Sequence, residues 1–170
     1  MDDRILGIDP GTARVGYAVI DWTGRDSFCF VDAGIIQTDK LQRPGERLRI
    51  IREDLLHLIE MYRPTLIAVE TIFFAKNAKT IVPVAQARGV ILEAAAHNGL
   101  FAFEYSPMQV KQSVTGFGRA DKKQVQETVA WILNQDQIIK PDDAADAVAV
   151  AICHARMSLV TRQIPVVLGS

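Results

Sequence analysis

The spacing of apolar residues changes near residue 40, and that change restricts the chain to a mixed strand-and-helix architecture. Before it lie three short runs: Arg4 to Asp9 (with Ile5, Leu6 and Ile8), Val15 to Asp21, and Phe28 to Thr38. Turn signals separate them at Pro10-Gly11 and Thr23-Gly24, and Gly34 is a candidate bulge. Such short connections predict three antiparallel strands. After the change, Leu48, Ile51, Leu55, Leu58 and Ile59 recur three and four residues apart. That period predicts an amphipathic helix over 44–62, which Arg63-Pro64 ends. Thr65 to Glu70 reads as a buried strand. A second helix is expected over 80–97, closed by Asn98-Gly99, with Pro83 tolerable in its first turn alone. Leu100 to Tyr105 reads as a fifth strand, and helical stretches follow at 107–114, 121–134 and 142–160. A strand–helix–strand crossover makes its two strands parallel neighbours with a right-handed connection. The expectation is therefore an α/β fold: a five-stranded mixed sheet flanked by helices on both faces. One domain should span 1–160, with a loose tail over 161–170.

The 170 residues fit one domain and are too few for a two-lobed ATPase or sugar kinase. No apolar run approaches the roughly 18 residues that a membrane helix requires, and Met1-Asp2-Asp3-Arg4 has no basic, apolar leader pattern. A cytoplasmic protein without a membrane partner is expected. Cys29 and Cys153 each stand in an apolar run and are expected to be buried free thiols. Net charge is −1, but the middle of the chain is locally basic: Lys76, Lys79, Arg88, Lys111, Arg119, Lys122 and Lys123 outnumber four acids between residues 71 and 131.

The acidic residues carry the chemistry. In α/β sheets, ligands gather at the carboxyl ends of parallel strands. Asp9 ends the first strand and Glu70 the fourth. On neighbouring strands their tips would lie about 5 Å apart, where two carboxylates need a cation between them. The last helix opens with Pro141-Asp142-Asp143-Ala144-Ala145-Asp146. Residues three apart share a helix face, so Asp143 and Asp146 project together, while small alanines let the helix press on the sheet. The run from Ala147 to Ile152 marks that helix as buried. Four carboxylates meeting at one point suit two Mg²⁺ ions, which activate a water and stabilise the leaving oxygen of a phosphodiester. Taken singly, Asp9 could begin a turn, Glu70 could face water, and Asp142 could cap the helix.

Several segments together resemble the RuvC family of bacterial Holliday-junction resolvases, within the ribonuclease H-like nucleases. They are Gly7-Ile8-Asp9-Pro10-Gly11, Gly16-Tyr17-Ala18, Ala68-Val69-Glu70, Phe73-Phe74-Ala75-Lys76-Asn77, Gln86-Ala87-Arg88-Gly89, Pro107 to Gln112, and Asp143-Ala144-Ala145-Asp146-Ala147. The resemblance is collinear over residues 3–157. It implies a ribonuclease H-like fold, a homodimer, and Mg²⁺-dependent paired nicking of four-way junction DNA in recombination and repair, with Mn²⁺ as a substitute ion. The products would carry 5′-phosphate and 3′-hydroxyl ends. It also implies the branch-migration proteins RuvA and RuvB as partners. The family's four acids fall on Asp9, Glu70, Asp143 and Asp146; some relatives carry histidine at the third, and here Asp142 adjoins Asp143.

The DNA-contacting positions implied by the resemblance are Phe73, with Phe74 beside it, and the functional lysines Lys111 and Lys122. An aromatic beside a metal site can stack an unpaired base for about 1–3 kcal/mol; core packing is the other use open to Phe74. Arg119 and Lys123 flank Lys122 in a basic stretch suited to phosphates, and Arg14, Lys76 and Asn77 are further candidates. The second helix carries apolar residues on more than one face, among them Ile81, Val82, Val84, Ala85, Ile91 and Ala95, so it can pack on the sheet and on a partner copy. Two other readings share these residues: a ribonuclease H-like enzyme acting on RNA–DNA hybrids or ribosomal RNA, and a non-catalytic junction-binding protein. Four intact acids disfavour the second, because a pure binder gains nothing from repelling phosphates.

Overall fold

The computed structural model describes residues 3–72 and 78–163. The chain runs β1 (Asp3–Asp9), β2 (Arg14–Gly24), β3 (Ser27–Gln37), α1 (Pro44–Tyr62), β4 (Leu66–Glu70), α2 (Ala78–His97), β5 (Phe101–Tyr105), α3 (Pro107–Thr115), α4 (Lys122–Ile132) and α5 (Asp142–Gln163). The sheet order is β3-β2-β1-β4-β5. β1, β2 and β3 pair antiparallel, whereas β1, β4 and β5 run parallel. This is the mixed sheet that the period change predicts.

Alternation along the strands divides the core in two. Leu6, Ile8, Ile67 and Val69 face α1 and α2. Ile5, Ala18, Ile20, Ala68 and Tyr105 face α3, α4 and α5. α5 lies against β2 and β1 and buries nearly every residue from Ala144 to Ala155. Each fully buried valine or isoleucine in it contributes roughly 1.5–3 kcal/mol. Two glycines make that proximity possible. A Cβ on Gly16 would run into the Asp143 carbonyl, and one on Gly7 into the Ala147 carbonyl and the Ala151 side chain. The helix backbone therefore rests directly on the sheet.

Local details differ from the sequence reading. The β2–β3 turn lies at Arg25-Asp26, two residues past Thr23-Gly24, because Gly24 still pairs with Ser27. Trp22 Nε1 donates to the Arg25 carbonyl (2.9 Å), and Arg156 holds Asp26 at 2.7 Å. The register shift in β3 falls at Val31, between the Val19–Asp32 and Ile20–Phe30 pairs; Gly34 pairs in register with Tyr17, whose ring fills the space a side chain would need. Pro83 lies inside α2 rather than in its first turn, since the helix begins at Ala78. Cys153 is buried, but Cys29 is exposed on the edge strand β3. α5 continues to Gln163, past the expected boundary at 160; residues 164–170 lie outside those described. Among the described residues, no helix is long and apolar enough to cross a membrane.

Candidate active site

Strand parity brings the first two acids together. Asp9 shares its side of β1 with Ile5 and Gly7, and Glu70 shares its side of β4 with Leu66 and Ala68. Both therefore emerge on the α5 face, one residue past the paired Ile8 and Val69. Asp9 is opposite Gly16 across the β1–β2 ladder, and Gly16 is where the start of α5 sits down. Asp143 thus stands over the end of β1, and Asp146 follows on the same helical face. The loop after Asp9 is pinned to the end of β3: Thr38 donates its hydroxyl to the Thr12 carbonyl (2.5 Å) and its N–H to the Ala13 carbonyl (3.0 Å).

The electrostatics reflect this crowding. Burial raises the Asp9 carboxyl well above its usual range, and the charges of Glu70, Asp146 and Asp143 raise it further. Glu70, in hydrogen-bond contact with Asp9, is pushed up to about 7, chiefly by burial and then by Asp146, with Lys111 and Lys122 opposing. Burial also raises Asp146, against the hydrogen bond and charge of Lys122. Asp142 behaves differently. The hydrogen bond from Lys140 holds it below the usual carboxylate range, and the charges of Lys122 and Lys140 add to this. The two adjacent acids are thus separated: Asp143 acts on Asp9, while Asp142 turns to the lysines.

Cations rim the acids. Lys122 Nζ lies 3.0 Å from Asp146 and 3.6 Å from Asp142. Arg14 lies 3.9 Å from Asp143. Glu70, Asp146, Lys111 and Lys122 line one cleft of about 240 Å³. It shares Lys122 with a wider depression lined by Arg14, Lys140, Asp142 and Asp143, which in turn shares Arg14 and Asp143 with a trough reaching Lys40. These adjoining hollows place basic side chains beside the acids at this end of the sheet.

Two predicted DNA contacts are not part of this cluster. Lys123 is exposed and pairs with Glu127 on its own helix at 3.6 Å. Arg119 lines a separate apolar hollow with Met108, Phe117 and Met157. Phe73, Phe74, Lys76 and Asn77 lie outside the described residues. The sequence reading did not single out Lys140, which holds Asp142; the Lys140-Pro141-Asp142 spacing was the available signal.

Among the described residues, no group of three or more His, Cys, Asp or Glu side chains is arranged to hold a metal ion by itself. The donor set still fits Mg²⁺, which demands hard oxygens and usually takes one or two carboxylates, several waters and substrate phosphate rather than a full protein cage. Asp9, Glu70 and Asp146 are all raised, first by burial and then by neighbouring carboxylate charge, and an interposed cation opposes both.

Comparison with known proteins agrees with this geometry. The family model described as "Crossover junction endodeoxyribonuclease RuvC" matches residues 5–154. The RuvC of Pelotomaculum thermopropionicum is 51% identical over 151 residues, covering 89% of this chain and 92% of that protein. That of Roseiflexus sp. RS-1 is 47% identical, covering 95% of each. A solved structure, "T. thermophilus RuvC in complex with Holliday junction substrate", superposes with a TM-score of 0.89 at 31% identity, covering 94% of this chain and 96% of that one. The mixed sheet is accordingly the ribonuclease H-like fold, and the chain belongs to the RuvC family of crossover junction endodeoxyribonucleases.

Proposed function

We propose that this chain is a structure-selective endodeoxyribonuclease that resolves four-way DNA junctions by symmetric paired nicks in recombination and repair. The observation that carries the reading is the meeting of Asp9, Glu70, Asp143 and Asp146 from three elements at one end of the sheet. Asp9, Glu70, Asp143 and Asp146 would together hold two Mg²⁺ ions, or Mn²⁺ in their place. When bound, those ions supply activation of a water and neutralisation of the leaving 3′ oxygen, giving 5′-phosphate and 3′-hydroxyl ends.

The chain's own groups do the positioning. Lys111 and Lys122 stand on the cleft wall facing Glu70 and Asp146, where they can hold the non-bridging oxygens of the scissile phosphate. Arg14 can hold a neighbouring phosphate in the adjoining trough. Phe73 and Phe74 remain candidates for stacking bases at the junction centre, and Lys76, Asn77, Arg119 and Lys123 for flanking phosphates.

A four-way junction has approximate two-fold symmetry, so a C₂ homodimer matches two active sites to two strands. α2 supports such a dimer. Ala87, Ile91, Ala94 and Ala95 face the sheet, while Val82, Ala85, Gly89 and Ala96 are exposed on the other side. The reading further places the protein in the cytoplasm, working with RuvA and RuvB, as one nuclease domain that includes the whole of α5 to Gln163.

The test is cleavage of a synthetic four-way junction with Mg²⁺, with an RNA–DNA hybrid as competitor. Asp9→Asn and Asp143→Asn should abolish nicking while junction binding persists, and Asp142→Asn should retain measurable nicking. Undiminished cleavage by Asp9→Asn would falsify the assignment, and preferential cutting of the hybrid would move the chain to a different nuclease activity.

A further inference from the structure

Lys122 stands between two carboxylates that play different parts. One is Asp146, at 3.0 Å, within the acid cluster. The other is Asp142, at 3.6 Å, four residues earlier on the same helix. Asp142 offers Lys122 its Oδ2, because its Oδ1 is engaged by Lys140 at 2.9 Å. Beside it is the buried Gln126, whose Nε2 has no hydrogen-bond partner. A buried amide nitrogen without an acceptor is unusual and costly. A shift of Asp142 toward α4 would give it one.

We propose that Lys122 exchanges partners when metal binds: its ammonium neutralises Asp146 in the metal-free protein and passes to Asp142, held by Lys140, when a divalent cation takes Asp146. The inference rests on the two-metal reading above and adds a role for a residue outside the acid set. Asp142 is a positioning residue. It keeps the displaced lysine at the edge of the cleft, close enough to reach a phosphate, instead of releasing it to solvent. A divalent ion on Asp146 repels the adjacent ammonium and weakens its hold on that carboxylate, and Asp142 already lies 3.6 Å away as the alternative partner.

The exchange separates from simple charge effects in a double-mutant cycle. The probe is Mn²⁺ alone, titrated calorimetrically into the full-length protein without DNA. Asp142→Asn keeps a side chain that suits a helix start, and both Lys122 and Asp142 are about half exposed, so folding should survive; thermal melts check this. In the Lys122 background, Asp142→Asn should weaken Mn²⁺ binding on the order of fivefold, because the lysine has nowhere to go. In the Lys122→Met background the same change should alter binding by less than about twofold. An equal factor in both backgrounds overturns the exchange, since Asp142 would then act on the ion as a distant charge, and leaves the metal site standing. Absence of Mn²⁺ binding in the unmodified protein overturns both.

Discussion

Gly16→Ala tests whether the resting of α5 on the sheet sets the acid geometry. Gly16 pairs with Asp9, and the added methyl would overlap the backbone carbonyl of Asp143. The obstacle is backbone and not a flexible side chain, so it cannot rotate away. The first turn of α5 must lift, or β2 must bow. Forced overpacking of this kind costs about 1–3 kcal/mol, which lowers the melting temperature of a domain this size by roughly 2–4 °C per kcal/mol. The functional effect should be larger. Lifting α5 moves Asp143 and Asp146 together away from Asp9 and Glu70, and a displacement near 1 Å can cost on the order of 10²-fold in rate. The assays are thermal unfolding and single-turnover cleavage of a four-way junction with Mg²⁺. Gly45→Ala is the control, because a Cβ there meets nothing within 4 Å and should change stability by less than about 1 kcal/mol. If Gly16→Ala melts with the wild type and cuts at its rate, the seating of α5 does not position the acids.

Gly89→Glu, on the exposed face of α2 where a Cβ meets nothing within 4 Å, should leave the fold intact and convert a dimer to monomers in light scattering; an unchanged mass would remove α2 from the interface. Asp21 is held below its usual value first by the hydrogen bond from Arg4 and further by that guanidinium's charge, against burial. The pair therefore contributes stability above about pH 4 that is lost as pH falls through the folded-state value; Arg4→Met should flatten denaturant midpoints below that pH, and an identical acid limb in both proteins would contradict this. Cys29 should react with a thiol reagent in the native protein, whereas Cys153, buried and with its thiol pushed up to about 11 by that burial, should react after unfolding; equal native rates would contradict the placement.

The sheet was readable because its strands alternate cleanly between two cores, and the same parity predicts that Asp9 and Glu70 share a face: each lies an even number of residues from a side chain that packs under α5. The tip of the first hairpin was less readable. Thr23-Gly24 has turn chemistry, but the chain reverses where Arg25 adopts a left-handed φ of 48° with its carbonyl taken by the Trp22 indole. Cys29 sits in a run that looks buried from its neighbours, yet it is exposed on the edge strand, and spacing cannot say which parts of an edge are covered. Asp142 and Asp143 adjoin in one first turn, and only the spacing to Asp146 and the family resemblance favoured Asp143. Their environments differ because Gly16 receives Asp143, while Lys140, two residues before, captures Asp142. Arg119 and Lys123 belonged to the same basic stretch as Lys122, but helix phase turns Lys123 toward Glu127, and the α3–α4 loop carries Arg119 to a different hollow.

The most direct measurement is strand-resolved mapping of nicks on a mobile four-way junction, with Mg²⁺ and with the metal chelated. The account predicts two nicks at symmetry-related positions, ligatable and absent without metal. Nicks that persist in chelator, or a junction bound but left uncut with Mg²⁺ present, would contradict it.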